Sequence, residues 1–262
     1  MSAFKDGLLN GKVAFVAGGT SGINLGIAKR MAELGAKVAV AGRNPEKAQN
    51  AAAAIGHGAA GYSTDVRDYA ATRAVMEQIH GAWGPMDVVV SGAAGNFLAP
   101  AAGLSANGFK TVVDIDLLGT FNVFRGCYDL IRKPGASLIA ITAGQAVNPT
   151  MLQIHACAAK AGVNQVVRVL AMEWGPEGVR VNGISPGPIA GTEGMERLAP
   201  NPEVTKALTG RIPLRRYGEI NEIAESAVFL SSDSAAYITG AILDCDGGSG
   251  LGDARSPFER TS

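Results

Sequence analysis

Cysteine is scarce and unpatterned in this sequence. Its three thiols, Cys127, Cys157 and Cys245, show no C-x-x-C spacing. They suit reduced, buried side chains rather than a disulfide framework, and no metal is expected. Net charge is missing as well. The 23 Lys and Arg balance the 23 Asp and Glu, which leaves no field to attract a polyanion, so nucleic acid is not an expected partner. No apolar run approaches the ~20 residues needed to cross a bilayer. The opening Met-Ser-Ala-Phe-Lys-Asp has no signal-peptide core, and the closing Glu-Arg-Thr-Ser is not a peroxisomal address of the Ser-Lys-Leu type. A cytoplasmic protein without a membrane partner is expected. Charged residues are only 18% of the chain and apolar residues 47%, which suits a globular body with a large core and much internal sheet.

Glycine, in contrast, is abundant, and residues 12–30 show how it is used. Lys12-Val-Ala-Phe-Val-Ala17 is an apolar strand. It feeds Gly18-Gly-Thr-Ser-Gly22-Ile-Asn-Leu-Gly26, which opens a helix. That order builds a phosphate site. Gly18 lets the chain leave the strand sharply, Gly22 lets backbone approach a pyrophosphate, and the free N–H groups of the helix start face the anion. Thr20, Ser21 and Ile23 belong to the same expected cofactor turn. The second strand, Lys37-Val-Ala-Val-Ala-Gly-Arg43, lacks the acidic residue that folds preferring NAD place on the ribose hydroxyls. Arg43 stands there instead and can pair with a 2′-phosphate, and Lys47 follows one helical turn later. The expected cofactor is therefore NADP(H).

Strands and helices alternate to the end. Asn44-Pro45 caps and starts the second helix, and Gly56-His57-Gly58 ends it. His57 is assigned no chemistry. A third strand ends at Asp65, where such folds bind their ligand, with Val66 beside it. Arg67 is either a surface charge or an anion contact. His80-Gly81 closes the third helix. Asp87-Val-Val-Val-Ser91 runs into Gly92-Ala93-Ala-Gly95, then into Asn96-Phe97-Leu-Ala-Pro100, a loop too apolar to be simply solvated. A long helix over residues 107–131 holds Asp114 and Asp116, and residues 136–142 are a fifth strand. Val163, Val166, Val167 and Leu170 give residues 151–174 one buried helical face. Residues 179–184 are a sixth strand. A Gly- and Pro-punctuated segment at about 188–217 is expected to be a substrate lid. Residues 219–231 form a last helix, residues 241–246 a last strand, and the tail 249–262 is expected to be loose. This alternation predicts an α/β fold, a doubly wound parallel sheet of Rossmann type, forming a single domain over 1–262.

With these elements in order, the chain resembles the short-chain dehydrogenase/reductase superfamily over nearly its whole length. The matching pieces are Ala17-Gly-Gly-Thr-Ser-Gly-Ile23, Asp65-Val66, Gly92-Ala-Ala-Gly95, Lys160 on its helix, Val181-Asn182 with Pro186-Gly187, and Tyr237-Ile-Thr-Gly240 with Asp246-Gly-Gly248. Ala93-Ala-Gly-Asn-Phe-Leu98, Asp114-Ile-Asp116, Gly119-Thr-Phe-Asn122 and Pro186-Gly-Pro-Ile189 with Gly191-Thr-Glu-Gly194 look like 2,4-dienoyl-CoA reductases, especially the peroxisomal type. Members of that family use NADPH to reduce a conjugated dienoyl thioester to an enoyl thioester. The resemblance implies that Ala93, Lys160, Pro186, Gly187 and Ile189 join the glycine turn in holding NADP(H). It implies that Arg67, Asn96, Phe97, Ser105 and Arg197 contact an acyl-CoA, and that Asp116, Lys160 and Asn96 are catalytic. It also implies a homotetramer built through the helices that hold Asp116 and Lys160.

The departures from the superfamily pattern are informative. Its usual tyrosine, four residues before the lysine, is Ala156; its usual serine position is Ala143; its asparagine on the preceding helix is Asp116. The loop tyrosine of mitochondrial-type dienoyl reductases falls at Gln145. No evident acid is left for an alkoxide, which is the peroxisomal type's pattern. Asn24 replaces the last glycine of the turn, and a local shift without loss of binding is expected there. His155 lies five residues before Lys160, about 140° around a helix, and is expected to be structural. For a dienoyl thioester, Asn96 would donate to the thioester oxygen and Lys160 would bind the nicotinamide ribose. Asp116 with a water would protonate carbon, either as the acid or by orienting Lys160 and the water. Two other functions fit the sequence less well. A carbonyl reductase of the same fold lacks its tyrosine. A sensor of NADP(H) without turnover is motivated by the missing serine and tyrosine, and is opposed by the retained Lys160, Asn96 and apolar Phe97 loop.

Overall fold

The computed structural model describes residues 4–192, 195 and 201–255. Its strands are β1 (Val13–Ala17), β2 (Lys37–Gly42), β3 (Ala60–Ser63), β4 (Val88–Ser91), β5 (Ser137–Ile141), β6 (Arg180–Pro186) and β7 (Ile242–Cys245). Its helices are α1 (Gly22–Glu33), α2 (Pro45–Ile55), α3 (Tyr69–Trp83), α4 (Ala106–Val113), α5 (Gly119–Cys127), α6 (Ile154–Trp174), α7 (Pro202–Thr209) and α8 (Ile220–Ser231). The strands form one sheet in the order β3-β2-β1-β4-β5-β6-β7, and each neighbouring pair is parallel. The order reverses between β1 and β4. The crevice above the C-terminal ends of those two strands is where open sheets of this kind bind ligands.

Both faces of the sheet are covered, and β1 shows the consequence. Val13, Phe15 and Ala17 enter one apolar layer while Ala14 and Val16 enter the other, following the two-residue period of a strand. All five are buried, as expected for a parallel strand between two helical layers. Val75 of α3, Phe124 of α5 and Val163 of α6 pack on the first layer; Met31 of α1, Ile55 of α2 and Ile223 of α8 pack on the second. Burying a side chain the size of Phe15 contributes roughly 1.5–3 kcal/mol before entropy is counted.

Several element ends differ from the sequence expectation. α3 continues past His80-Gly81 to Trp83 and stops at Gly84, which has φ 87. A lone glycine inside a helix costs only about 1 kcal/mol, which buried Val75, Met76 and Ile79 offset. The helix expected over residues 107–131 ends at Cys127, because the chain turns to let Ile131 bridge Met86 at the foot of the sheet. It is also interrupted: Asp114–Leu118 is a π-turn between α4 and α5. α6 starts at Ile154 rather than 151, since Leu152 adopts a left-handed φ of 65. The tail expected to be loose from residue 249 is tied down as far as Ala254. Gly250 N–H donates to Asp246 Oδ2 at 2.6 Å and Ala254 N–H donates to Arg211 O at 3.0 Å. The base of the expected lid is closed by a bridge between Ile189 and Gly218, and α7 lies within it. Residues 193, 194 and 196–200 lie outside the described residues, and with them Arg197. No helix among the described residues is long and apolar enough to cross a membrane.

Candidate active site

The cofactor side of the crevice is built mainly from backbone. Gly18 and Gly22 have φ of 77 and 54, the left-handed region that other residues rarely adopt. Gly18 has a second constraint: a Cβ there would lie 2.6 Å from Ala93 N, so glycine alone lets the turn meet the end of β4. Ser21 occupies the N-cap of α1 without making a capping hydrogen bond, whereas α2, α3 and α4 are capped by Asn44, Asp68 and Ser105. The uncapped N–H groups at the positive end of α1 suit a diphosphate. A cavity of about 370 Å³ lies over them, bordered by Gly18, Thr20, Ser21, Arg43, Asp65 and Ala93. The loop after β3 is held to it from behind. Asn122 Nδ2 donates to Val66 O at 2.8 Å, and a Cβ on Gly119 would meet Val66 Cγ2 at 2.6 Å. Open helix N–H groups, a glycine-only approach and an arginine at the end of β2 together fit a nicotinamide dinucleotide.

The other expected cofactor residues are more dispersed. Ile23 packs against the apolar layer under α1, and Lys47 is exposed on α2. Pro186 ends β6 and Gly187 follows it, where a Cβ would lie 2.6 Å from Asp246 Cα. Ile189 is buried and borders a separate cavity of about 410 Å³ beside Gly247. Asp65 and Arg67 are paired with each other: Arg67 Nη2 donates to Asp65 Oδ2 at 2.5 Å and Nε donates to Oδ1 at 3.0 Å. The Arg67 guanidinium holds the Asp65 carboxyl below the usual carboxylate range.

The side expected to take the acyl group is built from side chains. Asp116 sits in the π-turn at 1% exposure. Such turns add a residue to one helical turn and recur at functional sites. Asp116 Oδ1 accepts from Gly95 N–H at 2.7 Å, and Lys160 Nζ lies 3.2 Å from Oδ2. Lys160 also donates to Ile141 O at the end of β5, at 2.9 Å. Removing one partner of such a buried pair strands the other and typically costs about 3–5 kcal/mol.

The loop after β4 is gripped residue by residue. Gly95 is held by Asp116. Asn96 Nδ2 donates to Gln153 Oε1 at 2.6 Å, and Gln145 Nε2 donates to the same oxygen at 3.3 Å. The Phe97 ring meets the His155 ring edge-on, with centroids 4.4 Å apart. Ala99 N–H donates to Leu152 O at 2.9 Å. Sequence reasoning missed Gln153, whose one signal was its place just before the helix that carries Lys160. His155 is structural in a specific way: it supports Phe97. Its Nδ1 accepts from Ala156 N–H at 2.7 Å, and its Nε2 has no partner among the described residues. Phe97 and Leu98 are 42% and 54% exposed, so this apolar loop is only half covered. Ser105 Oγ accepts from Gly108 N–H at 3.0 Å, which gives it a capping task besides its expected acyl-CoA contact.

Fold and site together define an oxidoreductase that uses a nicotinamide cofactor. Residues 17–250 match the family model described as Enoyl-(Acyl carrier protein) reductase, and the chain belongs to that family of short-chain dehydrogenases/reductases. It is 44% identical over 250 residues to a peroxisomal 2,4-dienoyl-CoA reductase, (3E)-enoyl-CoA-producing, of Pongo abelii, covering 93% of this chain and 85% of that one. It is 37% identical over 247 residues to a probable 2,4-dienoyl-CoA reductase, (2E)-enoyl-CoA-producing, of Bacillus subtilis, covering 92% and 97%. Among solved structures, a short-chain dehydrogenase from Bacillus anthracis is similar with a TM-score of 0.82 at 37% identity, covering 91% and 96%.

Proposed function

We propose that this protein is an NADPH-dependent reductase of 2,4-dienoyl-CoA thioesters. The observation that carries the proposal is the buried Asp116–Lys160 pair docked on the Gly95-Asn96 loop, in a site with Ala143, Gln145 and Ala156 at the hydroxyl positions. Such a site can hold an oxyanion and a water but has no hydroxyl acid for an alkoxide. It suits a reduction that ends with a proton on carbon. The names of the relatives above agree with that substrate class.

When bound, NADPH supplies a hydride to the far end of the diene. Charge then develops on the thioester oxygen. Asn96 has one N–H engaged by Gln153 and a second, without a partner among the described residues, to donate to that oxygen. Lys160 is assigned to the nicotinamide ribose hydroxyls and brings positive charge near them. Asp116 already accepts from Gly95 N–H and is ion-paired with Lys160, which supports the role of orienting Lys160 and the water that protonates carbon. Arg43 favours the 2′-phosphate and so NADPH over NADH. Phe97 and Ser105 are assigned to the acyl-CoA, Arg67 and Arg197 to its anionic groups, and residues 188–217 to the lid. A homotetramer is supported by apolar side chains exposed on α5 and α6, Phe121 and Met172 among them. A cytoplasmic location is proposed, although the Pongo abelii relative is named peroxisomal, and cell fractionation tests it. The activity is tested by following NADPH oxidation with a 2,4-dienoyl-CoA, with simple ketones, and with neither. Oxidation with the dienoyl-CoA alone is expected. Turnover of ketones favours a carbonyl reductase, and tight NADPH binding without turnover favours a sensor.

A further inference from the structure

Asn24 stands where the glycine turn ordinarily ends in another glycine, and its side chain is put to use there. Its Nδ2 donates to Gly92 O at 2.8 Å and to Gly18 O at 3.3 Å. Gly18 is the first residue past β1 and Gly92 the first past β4, so one amide ties α1, the phosphate turn and the neighbouring strand end together. The room comes from Gly92. A Cβ there would lie 2.2 Å from Asn24 Oδ1 and 2.5 Å from Nδ2. Residue 24 has gained a side chain where residue 92 has none. The amide borders the cofactor cavity, and its Oδ1 is buried without a partner among the described residues.

We infer that Asn24 is a cofactor-positioning residue and that Gly92 is the vacancy that admits it. The pair sets the distance between the phosphate turn and the end of β4 before the dinucleotide binds. Gly18 could not set it alone, because a left-handed glycine keeps the widest conformational freedom and ordering it on binding costs affinity. The inference rests on a nicotinamide cofactor and is independent of the acyl substrate. Asn24 acts beside the diphosphate, a part common to NADPH and NADH, so it affects both alike. Arg43 acts on the 2′-phosphate alone.

The test is calorimetric binding of NADPH and NADH to Asn24→Gly, Gly92→Ala and the double variant, with hydrogen exchange of residues 18–24 in the cofactor-free protein. Asn24→Gly should weaken both cofactors by about threefold to tenfold, the size of one or two hydrogen bonds, and should speed exchange in the turn. Gly92→Ala should weaken both by about tenfold or more, because its Cβ expels the amide. The double variant should bind within about threefold of Asn24→Gly, since the three atoms nearest the added Cβ all belong to the Asn24 side chain. Gly92→Ala binding as tightly as the parent overturns the inference. So does a double variant whose loss equals the product of the single losses, or an Asn24→Gly protein with unchanged exchange. If Gly92→Ala alone does not fold, the double variant decides: it must fold and bind as Asn24→Gly does, and its failure overturns the pairing.

Discussion

The two proposed sides of the crevice are built by different means. On the proposed cofactor side the parts are N–H groups and close backbone approaches, gathered in residues 17–24 and at three strand ends. On the proposed acyl side they are side chains brought together from distant segments: Gly95 meets Asp116 across 21 positions, and Asn96 meets Gln153 across 57. The cofactor side should therefore tolerate losing most side chains and be damaged by gaining a Cβ. The acyl side should show the opposite sensitivity.

The strongest way to break that contrast is at Asp116. Asp116→Asn keeps an oxygen for Gly95 N–H and removes the charge that pairs with Lys160. Turnover of dienoyl-CoA should fall by at least about 100-fold with NADPH affinity nearly intact, as kcat and calorimetry would record. Asp116→Ala should lose as much turnover and also melt earlier, because Lys160 is stranded. Lys160→Ala should lose both turnover and NADPH affinity. An Asp116→Asn enzyme of normal turnover would remove Asp116 from the mechanism.

Arg43, like Asn24, is a side chain proposed to act on the backbone-built side, and it sharpens the contrast. Arg43→Ala should cost about 1.5–3 kcal/mol of NADPH affinity and almost none for NADH. Equal affinities for the two cofactors in the unmodified protein would refute the assignment. A smaller effect is expected at Gln153. Gln153→Leu should lower kcat by about tenfold, because Asn96 loses the acceptor that orients it, while the Kd for NADPH stays unchanged.

The smallest effect belongs to the pair that spans both sides. Arg67→Ala should raise KM for dienoyl-CoA a few-fold and should free Asp65. Arg67 depresses the Asp65 pKa in the folded state, so the pair stabilises the protein above the unfolded carboxylate's pKa. That contribution is lost as pH falls through the lower folded value. Both groups are partly exposed, so after screening it is at most about 1 kcal/mol. Melting curves of parent and variant should differ slightly at neutral pH and converge in acid.

What could be read from the sequence follows the same division. The strands appear as apolar runs because both faces of the sheet are buried, and the phosphate turn appears because left-handed backbone demands glycine at fixed spacing. Helix ends were less legible where tertiary contacts set them, as at Ile131, which leaves its expected helix to bridge Met86. The π-turn around Asp116 has no pattern of its own. Asp116 and Lys160 were found through resemblance, but Gln153 was not, because its contact with Asn96 exists only once two distant segments dock. The use of the Asn24 amide was illegible for the same reason: Gly92, its counterpart, is remote in sequence.

Reduction across a conjugated diene can be read from the product when a 2,4-dienoyl-CoA is turned over in ordinary water with NADPH deuterated at the transferred hydrogen, by mass spectrometry and NMR. One deuterium is expected at the far end of the former diene and one solvent hydrogen on another carbon of the product. Substrate left unlabelled by an enzyme saturated with the cofactor, or deuterium found on the carbonyl carbon, would contradict it.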